Sequence, residues 1–278
     1  MFELPLFSAT RYVQPLREGG SLPAVVDTDG GGLYVAKFRG AGQGVKALIA
    51  ELIAGLLARQ AGLPTPQIAL IHVDDSFGRT EPDPEIQDLL RASHGINLGA
   101  RYLDGSFNFD MTAAGELVSR ELAARIVWFD AFMTNPDRTH RNPNLLIWQR
   151  SPWLIDHGAA LYVQHDWESV DEARTRSPFQ LIKDHVLLEQ SGDIDEADAA
   201  MAAAITEDLI ARVVDSVPDA MLTDPALRSD FATPTAARAR YVEYLTNRLR
   251  GPRVFVDEAR DAQRRAARIA PQRLDARR

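Results

Sequence analysis

The chain has 278 residues, 45% of them apolar and 25% charged, which suffices for one large domain or two lobes with a substantial core. Its formal net charge of -8 argues against a general nucleic-acid-binding protein, because such proteins need a basic face to meet phosphates. The chain has no cysteine, which excludes disulfides, thiolate metal sites and a cysteine nucleophile.

The first residues show neither a basic region nor a long apolar run of the kind that begins a secretory signal. The longest apolar segment, 47–58, is interrupted by Glu51 and is too short to cross a bilayer. We therefore expect a cytoplasmic protein without a membrane span.

The first third of the sequence predicts a small sheet and one buried helix. Two apolar runs, 21–28 and 33–38, flank the glycine-rich stretch Asp29–Gly32, which predicts a β-hairpin. Apolar residues at spacings of three and four predict a helix over 45–62, with Gly62 as its stop. That apolar stripe consists of Val45, Leu48, Ile49, Leu52 and Leu56. Further predicted elements are strands at 66–73 and 95–103 and a short acidic helix at 85–92.

The remainder of the sequence is mostly helical in pattern. A long helix is predicted from Thr112 to the proline at Pro136, and two short strands at 144–148 and 153–156 follow it. The apolar face of that helix consists of Val118, Leu122, Ile126, Phe129 and Met133. Further helices are predicted in the alanine-rich stretch 195–217 and from Val254 onward. The change from strands to helices near Asp104 predicts two parts, 1–103 and 104–278, in a mixed α+β fold.

A polar cluster stands between two apolar runs in the middle of the sequence. Asp137 and Asn142 are five residues apart in a loop after a predicted helix, and Asp156 ends a predicted strand. Oxygen ligands on separate short segments suit Mg²⁺, which shares its coordination shell with waters and substrate phosphates. A carboxylate on the same loop can orient a hydroxyl and accept its proton. These groups are the ones that a phosphoryl-transfer site requires.

A lysine that could bind a nucleotide lies far upstream of this cluster. Lys37 is one of only three lysines, and it lies in a predicted strand that follows Gly30, Gly31 and Gly32. A lysine on a strand after a glycine turn is typical of kinases, and Glu51 on the next helix could hold it as an ion pair. Each element alone has an ordinary explanation, since Asn, Asp and Gly also favour turns and caps. The ordered combination favours a kinase.

The motifs "NPDRTHRN" (135–142) and "LIDHG" (154–158), with "GLPTP" (62–66) after the helix, resemble those of the HipA-like kinases. These are bacterial relatives of the protein kinases and phosphatidylinositol kinases, and the resemblance extends over about residues 22–163. Asp137 and Asn142 have the acid-to-amide spacing of the kinase catalytic loop, and Asp156 corresponds to the metal-binding acid of D-F-G. Thr139 replaces the family's usual histidine. An N-terminal subdomain typical of the family is not recognised, which favours a compact kinase module.

The resemblance implies a two-lobed kinase-like fold with a β-rich N-lobe (1–103) and a mostly helical C-lobe (104–278). It implies ATP and Mg²⁺ as cofactors and transfer of the γ-phosphoryl group to a protein Ser or Thr, with autophosphorylation left open. The implied roles are as follows: Asp137 orients the acceptor, Lys37 holds the α- and β-phosphates, Glu51 positions Lys37, and Asn142 and Asp156 bind the metal. Gly30, Gly31 and Gly32 would cover the phosphates, and the backbone of Asn97, Leu98 and Gly99 would bind adenine. A lipid or small-molecule kinase and a nucleotide-binding regulatory pseudokinase remain as alternatives.

Overall fold

The computed structural model describes residues 1–16, 22–79, 81–227 and 230–275, with side chains described as far as residue 267. The N-terminal part contains five strands that close into a barrel in the order β1-β2-β3-β5-β4. They are β1 (Leu6–Pro15), β2 (Ala24–Thr28), β3 (Gly32–Lys37), β4 (Ile68–Val73) and β5 (Gly95–Arg101). Parallel pairing of β1 with β4 closes the barrel, and all other pairs are antiparallel.

The predicted hairpin of β2 and β3 and the predicted strands β4 and β5 are confirmed. β1 was not predicted, because nearly all of its residues are exposed or half-buried and it shows no apolar alternation. Its exposure suits a strand with one face towards water, since Ala9 is the one residue of β1 that is buried.

Helix α1 (Gly44–Gln60) follows β3 and is buried almost all around. It packs against β4 and β5 of the barrel on one side and against helix α7 (Glu207–Val214) of the C-terminal part on the other. This environment explains why alanine and leucine occupy every face of α1 rather than one stripe, because a helix that is apolar all round must be buried all round. The chain leaves the helix through Gly62, whose φ of 81° is in the left-handed region that glycine adopts without strain.

The C-terminal part is mostly helical and carries one small antiparallel sheet. Its strands are β6 (Phe107–Asn108), β7 (Leu145–Trp148) and β8 (Ser151–Leu154). The other helices of the chain are α2 (Pro84–Ala92), α3 (Met111–Ala114), α4 (Arg120–Phe132), α5 (Glu172–Thr175), α6 (Ile194–Ala204), α8 (Asp219–Leu222), α9 (Pro234–Arg250) and α10 (Val254–Asp275). Among the described residues, no helix combines the length and the apolar composition needed to cross a membrane.

The single long helix predicted from Thr112 is wrong, because the structure divides it in two. Val118 is extended, and the hydroxyl of Ser119 caps α4 by accepting a hydrogen bond from the backbone N–H of Leu122 (3.2 Å). A serine that caps a helix in this way competes with continuation of the preceding turn. The alanine-rich stretch is divided similarly into α6 and α7, with Thr206 as the cap of α7. A helix beginning at Val254 is confirmed.

The β7–β8 hairpin brings the two polar motifs together. Leu145 pairs with Leu154, and the backbone N–H of Ile155 donates to the carbonyl of Asn144 (3.1 Å). The loop that ends at Asn144 and the segment that begins at Ile155 therefore leave the same end of the hairpin.

Candidate functional site

The ammonium group of Lys37 joins three separate elements. Its Nζ lies 2.6 Å from Oε2 of Glu51 on α1 and 2.6 Å from Oδ1 of Asp156, which follows β8. The side chains of Lys37 and Glu51 are 14% and 8% exposed, whereas that of Asp156 is 35% exposed. Asp156 has a φ of 54°, in the left-handed region. Lys37 therefore ties the barrel, the buried helix and the segment after β8 into one charge cluster.

Burial and charge oppose each other within this cluster. Burial alone would lower the pKa of Lys37, but the two carboxylates outweigh it and raise that pKa above its ordinary value of 10.5. Burial raises the pKa of Glu51, and although Lys37 opposes this, the nearby charge of Asp156 adds to it. Burial also acts to raise the pKa of Asp156, but Lys37 and the backbone N–H of Gly158 hold it below 3.8. Two carboxylates therefore share the Lys37 ammonium, with the pKa of Asp156 lowered and that of Glu51 raised.

Asp137 lies in the loop between α4 and β7, where two asparagines bind its carboxylate. Its Oδ2 accepts hydrogen bonds from Nδ2 of Asn142 (2.9 Å) and from Nδ2 of Asn144 (3.1 Å). Because these bonds use the amide nitrogen of Asn142, its amide oxygen is the atom that could coordinate a cation. Asp137 is half-buried and Asn142 is exposed, so a substrate or an ion can approach both residues.

A buried charged network lies beneath this loop. Nε of Arg138 is 2.5 Å from Oδ2 of Asp130 on α4, and both side chains are fully buried. The same oxygen lies 3.0 Å from Nε2 of His185, and Oδ1 of Asp130 accepts a hydrogen bond from Nδ2 of Asn135 (2.9 Å). Although burial acts to raise the pKa of Asp130, Arg138 and His185 outweigh it and hold that pKa far below its ordinary value. The carboxylate of Asp130 is therefore ionised throughout the physiological range.

Arg138 also connects the Asp137 loop to the Asp156 segment. Its Nη1 donates to the backbone carbonyl of Asn144 and, at 3.3 Å, to that of Ile155. Its Nη2 lies 3.4 Å from Nδ1 of His157, and burial with the charge of Arg138 lowers the pKa of His157 to about 3. One cation thus holds the backbone beside both candidate carboxylates.

Comparisons with known proteins bear on the family and the fold of the chain. A family model described as HipA-like kinase matches residues 10–230. The chain belongs to the HipA-like kinase family. The fold is also similar to the crystal structure of the Helicobacter pylori proinflammatory kinase CtkA, with a TM-score of 0.56 and 13% sequence identity. That similarity covers 96% of this chain and 99% of CtkA, and it bears on the fold alone. No curated protein matches the chain.

The structure of this HipA-like kinase does not bring the glycine turn to the charge cluster. Gly30, Gly31 and Gly32 lie where β2 turns into β3, and the turn is closed by a hydrogen bond from the N–H of Gly31 to the carbonyl of Thr28 (3.2 Å). Lys37 ends β3, five residues later, which corresponds to about 16 Å at about 3.3 Å per residue. The opposite end of the hairpin is the one adjacent to Lys37, because Ala24 pairs with Ala36. At that end the carbonyl of Pro23 accepts a hydrogen bond from the N–H of Leu16, which follows β1 (2.8 Å). Here the geometry disagrees with the predicted role of the three glycines.

Asn97, Leu98 and Gly99 lie inside β5, which pairs with β3 on one side and with β4 on the other. Their backbone groups thus belong to the sheet, and the side chain of Asn97 accepts a hydrogen bond from the N–H of Arg39 (2.8 Å). A strand with two neighbours has no free edge, so this geometry disagrees with the predicted backbone contact to adenine.

The residues present fit a Mg²⁺ ion that is shared with phosphates. In the part of the chain that the structure describes, no group of three or more His, Asp or Glu residues could hold a metal ion alone. Asn142 and Asp156 could supply one oxygen each, and Mg²⁺ usually takes few protein ligands and completes its shell with phosphates and waters. The donor set therefore requires a nucleotide for a complete metal site.

Sequence reasoning missed the buried residues that support the site. The sequence motifs assign no role to Asp130, Asn144 or His185, and Arg138 stands within the motif at 135–142 without a role of its own. Asp130 lies on helix α4. One signal was available: Asp130 interrupts the otherwise apolar sequence 126–133, and a charge within such a run requires a buried partner. His185 is buried and lies within hydrogen-bonding distance of Asp130.

Proposed function

We propose that this HipA-like kinase transfers the γ-phosphoryl group of ATP, with Mg²⁺, to the hydroxyl of a protein Ser or Thr. The observation that carries the proposal is the Lys37 ammonium bound by both Glu51 and Asp156, beside a loop that presents Asp137 and Asn142. A lysine held by a helix carboxylate, next to a metal-binding acid, is the arrangement that protein kinases require for nucleotide phosphates.

In this proposal the barrel part, 1–103, and the helical part, 104–278, are the two lobes of a kinase, and the nucleotide lies between them. Lys37 contacts the α- and β-phosphates, and Glu51 keeps Lys37 in place when Asp156 turns to the metal. Asn142 and Asp156 hold Mg²⁺, which would neutralise the charge of the phosphates when bound. The barrel end at Leu16 and Pro23 meets the phosphates, in place of the glycine turn.

Asp137 acts on the acceptor hydroxyl. Its Oδ2 is held by Asn142 and Asn144, so Oδ1 remains to orient the hydroxyl and to accept its proton during transfer. We propose that adenine contacts the residues that follow β5, at 102–104, beyond the N–H of Tyr102, which makes the last hydrogen bond to β3 by donating to the carbonyl of Leu33 (3.0 Å).

Incubation of the purified chain with labelled ATP and Mg²⁺ tests the proposal. Transfer of label to the chain itself or to a protein in an added lysate is the expected result, and transfer to lipid or to a small molecule would assign a different acceptor. The matched control is Asp137→Asn, which keeps the size of the side chain. Label in the wild-type reaction that equals label in the control would contradict the proposal.

A further inference from the structure

The carboxylate of Asp130 binds residues on both sides of Asp137. Asp130 is fully buried and does not face the proposed substrate, yet its partners Asn135 and Arg138 stand two residues before and one residue after Asp137. We propose that Asp130 is a positioning residue, which sets the place of Asp137 through Asn135 and Arg138 and the place of Asp156 through Arg138. This inference rests on the proposed function.

The first connection runs through the side chain of Asn135. Its amide nitrogen donates to Oδ1 of Asp130 (2.9 Å), and its amide oxygen accepts from the backbone N–H of Asp137 (3.2 Å). The backbone N–H of Asn135 also donates to the carbonyl of Asp130 (2.9 Å). Because both ends of one rigid amide are used, Asn135 transmits the position of Asp130 to the backbone of Asp137.

The second connection runs through the guanidinium group of Arg138. Its Nε binds Asp130, and its Nη1 donates to the carbonyls of Asn144 and Ile155. The side chain of Asn144 binds the Asp137 carboxylate, and Ile155 immediately precedes Asp156. A planar guanidinium has a fixed fork of donors, so its orientation determines how these two backbone segments are spaced.

His185 completes the environment of Asp130 as a neutral donor. The backbone N–H of Leu187 donates to its Nδ1 (3.1 Å), so the proton of the neutral ring is on Nε2 and is donated to Asp130. The charges of Asp130 and Arg138 therefore balance within the network, and no further ion is required.

Stability alone does not account for this network. A buried ion pair usually adds little net stability compared with apolar side chains of the same volume, because both charges must be removed from water. Apolar packing could hold α4 equally well. Apolar side chains, however, could not form hydrogen bonds with the polar backbone groups of the loop. Asn135 and Arg138 do form such hydrogen bonds.

The test uses Asn135→Ala, which removes the amide between Asp130 and Asp137 but leaves the Asp130–Arg138 ion pair intact. Misplacement by about 1 Å costs on the order of 10²-fold in rate, so we expect kcat to fall by roughly that factor while KM for ATP changes little. The matched control is Ser216→Ala, which removes a buried hydroxyl with two hydrogen bonds just after α7, outside the Asp130 network. It should lower the Tm but leave kcat unchanged.

Asp130→Asn is the second variant, and backbone hydrogen exchange is the second measurement. If Asp130→Asn folds, the amides of 137–144 and 155–158 should lose protection in it. Asn135→Ala should deprotect Asp137, and Ser216→Ala should leave these amides protected. Unchanged kcat and unchanged exchange in Asn135→Ala would overturn the inference, as would a kcat loss that only follows the folded fraction. An inactive wild-type chain that shows the expected exchange pattern would refute the proposed function and still support the positioning by Asp130.

Discussion

Replacing Lys37 by methionine tests the charge cluster that joins β3, α1 and Asp156. The change keeps most of the side-chain length and removes both 2.6 Å ion pairs, which leaves the carboxylates of Glu51 and Asp156 without their cation. Water can partly rehydrate Asp156, which is 35% exposed, but not Glu51, which is 8% exposed. Removing one partner of a buried ion pair costs about 3–5 kcal/mol, and we expect about 3 kcal/mol here. Since domains are stable by about 5–15 kcal/mol, the variant should remain folded.

The stability that Lys37→Met loses should depend on pH in a defined direction. In Lys37→Met, burial and Asp156 continue to raise the pKa of Glu51, while the cation that opposed them is absent. A carboxyl whose pKa is higher in the folded state destabilises the fold above that pKa and has no such effect below its unfolded value of about 4.5. The loss of stability should therefore be largest at neutral pH and smaller at about pH 5.

The unfolding free energies of four proteins in urea test this prediction. They are the wild type, Lys37→Met, Glu51→Gln and the double variant. The double variant should be more stable than Lys37→Met, because glutamine removes the carboxylate that lost its partner. The ion-pair reasoning would be refuted if the two single variants changed the unfolding free energy by amounts that add up to the effect of the double variant within about 0.5 kcal/mol. The stability loss of Lys37→Met would in that case also be the same at neutral pH and at about pH 5. In the proposed function, Lys37→Met also weakens ATP binding or turnover, and unchanged values of both would remove Lys37 from the site.

Two further predictions concern the Asp156 segment. Nucleotide with Mg²⁺ should stabilise the wild type by about 2.7 kcal/mol at a nucleotide concentration of roughly 100 times Kd. Asp156→Ala should abolish most of the Mg²⁺-dependent part of this stabilisation. An equal thermal shift with a chelator present would exclude a metal bridge. His157 has its pKa lowered from 6.5 to about 3 by burial, so it contributes stability that is lost as pH falls from about 6.5 towards 3. His157→Phe should flatten the pH dependence of the unfolding free energy over that range, and an unchanged acid limb would contradict this.

The structure could be predicted from the sequence where a short spacing or a strong apolar pattern determines it. The hairpin, α1 and the relation of Lys37 to Glu51 could be predicted, because a strand that leads directly into a helix leaves few ways to arrange them. The sequence could not show that Asp156 also contacts Lys37, since 119 residues separate them and only the β7–β8 hairpin brings them together.

The differences between the expected and the observed placement of these residues have a common physical cause. The glycines at 30–32 have the composition of a phosphate-binding turn, but which end of a hairpin faces a site depends on strand pairing. From the sequence alone, the backbone groups of residues 97–99 could contact a ligand. In the structure these residues lie in β5, which has a neighbouring strand on each side. Asp130, Arg138 and His185 are brought together by packing across α4, the Asp137 loop and the chain after α5, and no local pattern records such a contact.

The proposed phosphoryl transfer depends most directly on Asp137. Asp137→Asn retains the size of the side chain and an oxygen that can accept hydrogen bonds from Asn142 and Asn144, so the loop should keep its shape. The decisive measurement determines transfer of labelled phosphate and ATP affinity together on this variant. The account predicts that transfer falls by roughly 10²–10⁴-fold, the usual contribution of a positioned base, while ATP binds almost as before. Transfer close to that of the wild type would contradict it.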